Sequence, residues 1–357
     1  MITSTLESLL QTLGQPTSSE EDIKDAAGAF LSTLPAATPS QVQEALERVS
    51  TFLHADDVFR AGYAALIIGT VLEQGYNPLS STQPLIERLR QVLSMCMTFA
   101  TQRHRIPLDR GADEQDMAEA FDEVCPEVVH IFPNEARARE ALDLFWHSAI
   151  ALFSSSVDAR KAGQPLRSLT QPITDYHEGA YWLDLMLSTP IDEPLLAIEP
   201  KSLQGFQGTM TGIVDNFQLH TLLMDVFPSE SLVPRRRVPE RIVDVARGKG
   251  PQHTDDEVTG VWNMYAWTAI QSNLQLPPTD DRENNRHWIW GEGHPEDIPI
   301  FEGFRVILLG PPSYTRTWTS NRMFAQLAAE IQGRNLQKDV VTAWLQKMAE
   351  AKASQIT

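Results

Sequence analysis

The sequence has little cysteine, no apolar run long enough to cross a membrane and no secretory leader. Its two cysteines, Cys96 and Cys125, do not form a C-x-x-C pair, which favours isolated thiols in a reducing compartment over a disulfide framework. The start of the chain lacks the basic and then apolar pattern of a signal peptide. The longest apolar run, Ala61 to Leu72, is shorter than the ~20 residues that a membrane span needs. These absences predict a soluble protein of the cytoplasm.

Short catalytic motifs are also missing. The chain contains no G-x-S-x-G, S-x-x-K or H-E-x-x-H pattern, so the hydrolase families that these motifs identify are not indicated. Arg247-Gly-Lys-Gly-Pro251 has the composition of a phosphate-binding loop, but it lacks the G-x-x-x-x-G-K-[ST] spacing and is interpreted as a turn.

Positive charge is scarce. The chain has 29 Lys and Arg against 47 Asp and Glu, a formal net charge of −18. Residues 1–190 contribute −13 of this, from 13 basic and 26 acidic side chains. Such a chain repels nucleic acids and anionic membranes, and we predict neither as a partner. Eight carboxylates between Asp109 and Glu127 indicate a solvated acidic face, or else a docking surface for a basic partner.

What the first half does have is helical periodicity. Apolar residues recur at i, i+3, i+4 and i+7 from Ile23 onwards, and Thr38-Pro39-Ser40-Gln41 has the pattern of a helix N-cap. The segment Val58 to Glu73 is apolar on nearly all sides, which predicts a central buried helix ended by Gly75 and Pro78. Further helices are predicted at Pro84–Ala100, Glu114–Val124, Asn134–Phe153 and Ile173–Leu187. We predict an all-helical domain over residues 1–189, either a bundle or a solenoid of stacked helix pairs.

The second half of the chain has the short apolar runs and turn residues that are typical of a β-sheet. Pro194 to Ile198 predicts a strand, Phe304 to Leu309 the clearest buried strand, and Pro299 to Phe304 a hairpin with Gly303 at its tight position. Asn321 to Lys352 is predicted to return to helix. The fold class is therefore α+β: residues 190–357 are expected to form a mixed or antiparallel sheet closed by helices.

Aromatic residues concentrate in this half. Five of the eight tryptophans fall between Trp262 and Trp318. Residues two apart in a strand share one face, so Trp288 and Trp290 could form a platform for a flat or sugar-like ligand. Alternatively, the tail helix around Trp344 covers them and the face is core. Candidate ligand-binding residues are Trp288, Trp290, Tyr314 and Arg316.

Two groups of side chains have the chemistry of a site. Imidazoles and carboxylates cluster within eleven residues, namely His287, Glu292, His294, Glu296 and Asp297. Such groups bind divalent metals, but their glycine- and proline-rich loop need not converge, so a metal site through His287, His294, Glu296 and Asp297 is only an alternative. Asp215 and His220 stand where a strand meets a helix and could form an acid–base pair, or Asp215 or Asn216 could simply cap the helix.

Two functions remain open on the sequence alone. The first is a non-catalytic interaction or scaffold protein that needs no cofactor: its helical N-terminal half binds a protein partner, and its C-terminal module is either structural or recognises a ligand. The alternative is a hydrolase or transferase that uses His287, Glu292 and His294, or Asp215 and His220. The absence of any recognisable catalytic spacing favours the first. Convergence of these side chains in a concave pocket would favour the second.

Overall fold

The structure is a computed structural model that describes residues 2–77, 80–109, 126–227, 238–249, 258–269, 288–320 and 322–353. For residues 106–108, 258–266, 311–320 and 352–353 the description is of the main chain. The chain divides into two compact units, Met1–Ser188 and Thr189–Thr357.

The first unit is built from helices. Their bounds are α1 Ile2–Gly14, α2 Glu20–Leu31, α3 Pro39–Ser50, α4 Val58–Glu73, α5 Thr82–Asp109, α6 Pro133–Ser155, α7 Val157–Gly163, α8 Arg167–Thr170 and α9 Glu178–Ser188. Residues 126–131 are also helical. Helix α6 packs against α4, α5 and α9. Contacts with three helices from different parts of the unit describe an irregular bundle around α6, because a solenoid would pair each helix mainly with its sequence neighbours.

Capping side chains set where these helices begin. The main-chain N–H of Thr38 donates to Gln41 Oε1 at 2.9 Å, and the N–H of Gln41 donates to Thr38 Oγ1 at 3.3 Å, which is the reciprocal capping box that the sequence predicts. Ser19 and Asp22 form the same arrangement at α2. The predicted central helix is confirmed as α4, whose side chains are buried along almost its whole length.

The second unit is a mixed sheet. Its strands are β1 Glu193–Glu199, β2 Gln204–Thr211, β3 Val258–Ala269, β4 Ile300–Phe301, β5 Phe304–Ser320 and β6 Glu330–Leu336. The order across the sheet is β3-β5-β1-β2-β6, with β4 paired to β5. β1 and β5 are parallel, whereas the other neighbouring pairs are antiparallel. In the described residues every strand lies after Asp192, as the α+β prediction requires.

Helices cover both faces of this sheet. On one face, Leu195 and Ala197 pack against α10 Asn216–Val226 and α11 Glu240–Ala246. On the other, Leu196 and Ile198 pack against α12 Lys338–Ala353. Val306, Ile307, Leu308 and Leu309 in β5 are all 0 % exposed. This confirms that the uninterrupted apolar run is a strand buried on both faces.

A two-residue turn joins β4 to β5. Glu302 and Gly303 both have positive φ, 52° and 81°, the backbone of a type I′ turn that suits the twist of a hairpin. Gly303 adopts this conformation without steric cost, so the predicted hairpin and its tight position are confirmed.

Three sequence predictions need correction. Asn321 to Lys352 is not continuous helix: residues 330–336 form β6, and helix begins only at Lys338. β6 is an edge strand in which only Ile331 is buried, so it lacks the apolar alternation that marks a strand. The helix predicted from Ile173 begins at Glu178, after a 3₁₀ turn that contains Pro172. The strand predicted at His287 to Trp290 is reduced, in the described residues, to one bridge between Trp288 and Thr268.

The predicted helix Glu114–Val124 lies outside the described residues. Of the helices that are described, none combines the length and apolar character needed to cross a membrane.

Candidate functional site

A loop formed by residues 288–298, here called the Trp290 loop, is fixed to the beginning of α10. The N–H of Asn216 donates to Gly293 O and the N–H of Phe217 donates to Gly291 O, each at 2.9 Å. The side-chain amide of Asn216 donates to Trp290 O at 2.9 Å. The first N–H groups of a helix have no partner within it, so these loop carbonyls satisfy donors that would otherwise need water. The loop is thereby held in one position on the helix.

Close packing reinforces this attachment. Gly291 lies against the ring of Phe217, and a Cβ at this position would overlap the ring. A glycine is therefore required for the loop to approach the helix so closely.

Asp215 is the N-cap of α10. Its Oδ1 accepts from the N–H of Gln218 at 2.7 Å, while Gln218 Oε1 accepts from the N–H of Val214 at 2.9 Å. Burial raises the pKa of Asp215. The hydrogen bond from the main-chain N–H of Gln218 and the nearby His294 both lower this pKa, but by less than burial raises it. The carboxylate thus has a structural partner and a destabilised charged form.

His294 secures the other side of the loop. Its Nδ1 lies 3.0 Å from Val214 O. A carbonyl only accepts, so this bond requires a proton on Nδ1 and leaves Nε2 as the basic nitrogen of the neutral ring. His294 and Glu292 both act electrostatically on the carboxyl of Asp215. The fold therefore brings Asp215 close to Glu292 and His294, which lie 77 and 79 residues later in the sequence.

His220 belongs to the core. It is 2 % exposed and packs edge-to-face on Trp267, with ring centroids 5.0 Å apart. The Asp215 carboxylate accepts from the main-chain N–H of Gln218. Asp215 instead has the capping role that the sequence left open.

Three residues of the metal alternative, His294, Glu296 and Asp297, lie in the described part of the structure. Asp297 Oδ2 accepts from the N–H of His294 at 3.0 Å, and the main-chain carbonyl of Glu296 accepts from Arg305 at 2.6 Å. Across the described ranges, no three His, Cys, Asp or Glu side chains are placed to hold a metal ion. His287 lies outside those ranges.

The aromatic candidates separate. Trp288 is half-buried against the α10 face of the sheet, Ile289 is buried, and Trp290 is 57 % exposed. Trp344 packs on Phe301 and Phe304 on the opposite face, so the expectation that its helix covers Trp288 and Trp290 is wrong. Tyr314 and Arg316 lie on β5, but their side chains are outside the described part of the structure.

The exposed charged side chains of the Trp290 loop are acidic. Glu292 and Asp297 are exposed. Arg305 is turned inward: its Nη1 donates to Glu296 O and Ile298 O, and its Nε lies 2.8 Å from a carboxylate oxygen of Glu193. The loop therefore exposes an indole and two carboxylates.

Gln218 and Arg305 both anchor this region, and neither is among the candidate residues that the sequence predicts. A glutamine three residues after an Asp cap is a recognised capping signal and could have identified Gln218. No local pattern indicates that Arg305 bonds to the loop that precedes its strand.

Comparison of the chain with protein-family models, with curated proteins and with solved structures finds no match. The side chains and hydrogen bonds of the Trp290 loop are therefore the grounds for assigning a function.

Proposed function

We propose that this is a non-catalytic interaction protein of the cytoplasm that binds a protein partner through the Trp290 loop. The observation that supports the proposal is an indole 57 % exposed on a loop whose main chain is bonded to a helix end. Tryptophan is enriched among the residues that dominate binding energy at protein interfaces. A loop that is already ordered loses little conformational entropy on binding.

The charged side chains of the Trp290 loop indicate the class of partner. Glu292 and Asp297 are exposed on the same loop as Trp290, and the guanidinium of Arg305 is paired with Glu193. A loop that exposes both an indole and carboxylates favours Lys or Arg side chains, through cation–π contact and ion pairing. The partner is therefore a basic protein segment, and the net charge of −18 disfavours nucleic acid and anionic membranes.

Two of the candidate catalytic side chains have structural partners, which supports a non-catalytic role. Asp215 caps α10, and His294 fixes the loop through Val214 O and Asp297. A nucleophile or general base needs an accessible reacting atom next to a substrate pocket, whereas these groups hold a loop in place.

Binding of labelled peptides tests the proposal. Lys- and Arg-rich peptides and length-matched Glu-rich peptides are titrated and followed by fluorescence anisotropy. We expect basic peptides to bind and Trp290→Ala to weaken the affinity by about 30-fold, the ~2 kcal/mol of an interface anchor. Tyr181→Ala, which removes an aromatic side chain 45 % exposed in the helical unit, is the matched control and should leave the affinity unchanged. Equal binding by both variants would refute the role of the loop.

One observation favours the alternative, a hydrolase or transferase. Burial raises the pKa of Asp215, and His294, with a defined tautomer, is close enough to act on that carboxyl. A carboxyl of raised pKa near an imidazole is a combination used in general acid–base catalysis. Turnover of p-nitrophenyl acetate or p-nitrophenyl phosphate that falls at least about tenfold in His294→Ala, but not in the exposed-site control His147→Ala, would support this function. Equal rates of turnover in the unmodified protein, His294→Ala and His147→Ala would refute this catalytic function.

A further inference from the structure

Strand β6 is one edge of the sheet in the second unit. Its seven residues pair with β2 in a continuous antiparallel register without a bulge. They include no proline and no lysine, two of the features that normally protect an edge strand from pairing with another chain. Residues 332–335 are all exposed, and at Gly333, which has no side chain, this exposure belongs to the main chain. The edge is therefore regular and accessible to an added strand.

The packing of β6 on β2 shows which main-chain groups of β6 face outward. A Cβ at Gly208 of β2 would collide with Gln332 O, so this carbonyl points towards β2. In an antiparallel pair, residues alternate between bonding to the neighbouring strand and pointing away from it. The N–H and C=O groups of Ile331, Gly333 and Asn335 consequently point away from β2, towards the open side of the sheet.

The open part of the edge has defined ends. Just before β6, the N–H of Ala329 donates to Arg247 O at 3.1 Å, so the main chain there already has a partner. After β6 the chain enters α12, which begins at Lys338. The open edge is thus residues 331–335, and Gly333 is at its centre. An added strand that uses every free main-chain group must lie opposite these residues.

The side chains along the open edge are self-complementary in charge. Ile331 packs in the core on the α10 face, so Glu330, Gln332 and Arg334 lie on the opposite face of the sheet, where all three are exposed. Gln332 Nε2 donates to Glu330 Oε2 at 2.8 Å. Along β6 this face carries a carboxylate, an amide and a guanidinium in turn. An antiparallel copy presents the same three groups in reverse order, which sets unlike groups against each other.

We propose that β6 pairs antiparallel with β6 of a second copy of this chain and joins the two sheets across a two-fold axis at Gly333. In this register Ile331 lies opposite Asn335 of the second copy, and Gly333 lies opposite its own equivalent. Each of these pairs exchanges two main-chain hydrogen bonds, so every outward N–H and C=O of the open edge finds a partner. A two-fold interface of this kind is closed, because each copy offers the same edge to the other.

The side chains then meet in favourable pairs. Gln332 lies directly opposite Arg334 of the second copy, and Glu330 is diagonal to the same guanidinium. Diagonal neighbours are within reach of long side chains, and opposite charges at such positions stabilise a sheet. Both contacts occur twice by symmetry.

This complementarity favours a second copy over an unrelated peptide. In strand addition the main chain supplies affinity and the side chains supply specificity. The reversed β6 sequence supplies the required cation and carboxylate by itself. The strand also carries no net charge, whereas the whole chain at −18 repels other copies. The interface uses none of residues 288–298 and does not depend on the function proposed for the Trp290 loop.

Sedimentation velocity of the full chain over roughly 1–300 µM tests the proposal, since an interface of one strand from each copy is small and predicts a weak, reversible dimer. Arg334→Glu sets two carboxylates against each other at each diagonal and should raise the dimer dissociation constant at least about tenfold. Glu330→Arg should have the same effect. The double variant Glu330→Arg/Arg334→Glu restores opposite charges and should recover most of the affinity.

Glu302→Arg is the matched control, because it makes the same charge change on an exposed turn outside β6. It should leave the dissociation constant unchanged. Glu330→Arg and Glu302→Arg lower the net negative charge equally, so repulsion between whole chains cannot explain a difference between them.

Two further experiments test the main-chain pairing and its register. Asn335→Pro removes an N–H that points away from β2, so it should keep β6 in the sheet but block the added strand, whereas Asn335→Ala keeps that N–H and should still dimerise. A mixture of Gln332→Cys and Arg334→Cys chains should form interchain disulfides on oxidation, since directly opposite residues of this type have Cα atoms about 4.5 Å apart. The unmodified chain gives the background from the native cysteines.

Circular dichroism establishes that each variant is folded. A chain that stays monomeric up to about 300 µM would overturn the proposal. Equal dissociation constants for Arg334→Glu, Asn335→Pro and the unmodified chain would do the same, because they would place the contact between copies on another surface. Failure of the double charge swap to recover affinity, together with no cross-linking in the cysteine mixture, would reject the register centred on Gly333.

Discussion

Arg160 in α7 is a buried guanidinium, and replacing it with Met should cost the fold little. The residue is 1 % exposed, and its Nη1 donates to Phe153 O at 2.9 Å, near the end of α6. Within the described part of the chain, its Nε and Nη2 find no hydrogen-bond partner. A large buried side chain normally loses several kcal/mol on replacement, so this site separates the effect of charge from that of packing.

The magnitude follows from opposing contributions. Burial lowers the pKa of Arg160 from 12.5 to about 10. At 1.36 kcal/mol for each pKa unit, the buried charge costs about 3 kcal/mol at neutral pH. Arg160→Met recovers this cost, loses a charged hydrogen bond of roughly 1.5–3 kcal/mol and leaves a small void of about 1 kcal/mol. The expected net change lies between a gain of about 0.5 and a loss of about 1 kcal/mol.

Urea unfolding followed by far-ultraviolet circular dichroism measures this change, since most of the helix lies in the unit that contains Arg160. Arg160→Ala is the comparison: it also removes the charge but empties the site, and should lose about 2–4 kcal/mol. A loss above about 3 kcal/mol for Arg160→Met would refute the reasoning, because that is the cost of breaking a buried ion pair.

Three other predictions concern the core, the α10 cap and a thiol. Leu308→Ala, at a fully buried position of β5, should lower the free energy of unfolding by about 2–5 kcal/mol, and a loss below about 1 kcal/mol would contradict its central position. The raised pKa of Asp215 means that its contribution to stability is full below the unfolded pKa, near 3.8, and falls as pH rises through the folded pKa. Asp215→Asn should therefore raise the melting temperature, relative to the unmodified protein, by more at pH 7 than at pH 4. A larger rise at pH 4 than at pH 7 would contradict the upward shift of the Asp215 pKa. Burial raises the pKa of Cys96 to about 12, so this thiol should not react with iodoacetamide at pH 8 in the native protein but should react in urea.

Local signals in the sequence predict most of the helices and the central strand, because each depends on nearby residues. The Thr38 capping box and the Val306–Leu309 run are of this kind. β6 could not be predicted in this way, since its main chain pairs with β2 while its side chains mostly face solvent. Its conformation is set by its neighbour and not by its own apolar pattern.

The same limit applies to the candidate site. The cap at Asp215 follows from its position before an apolar helix. By contrast, the bond from Asn216 to Trp290 O joins residues 74 positions apart, which no periodicity encodes. The exposure of Trp290 is likewise visible only in the folded chain.

The parallel pairing of β1 with β5 has a consequence for how the second unit forms. Leu196 pairs with Val306, 110 residues later, and the chain that closes this loop contains β2, β3, α10 and α11. Closing a long loop costs entropy before any contact across it is gained, and contacts of high sequence separation slow folding. We expect the β1–β2 hairpin and the β4–β5 hairpin to form early and to join late. Until they join, each exposes an apolar strand edge, so the nascent chain passes through a stage at which it can pair wrongly with another copy.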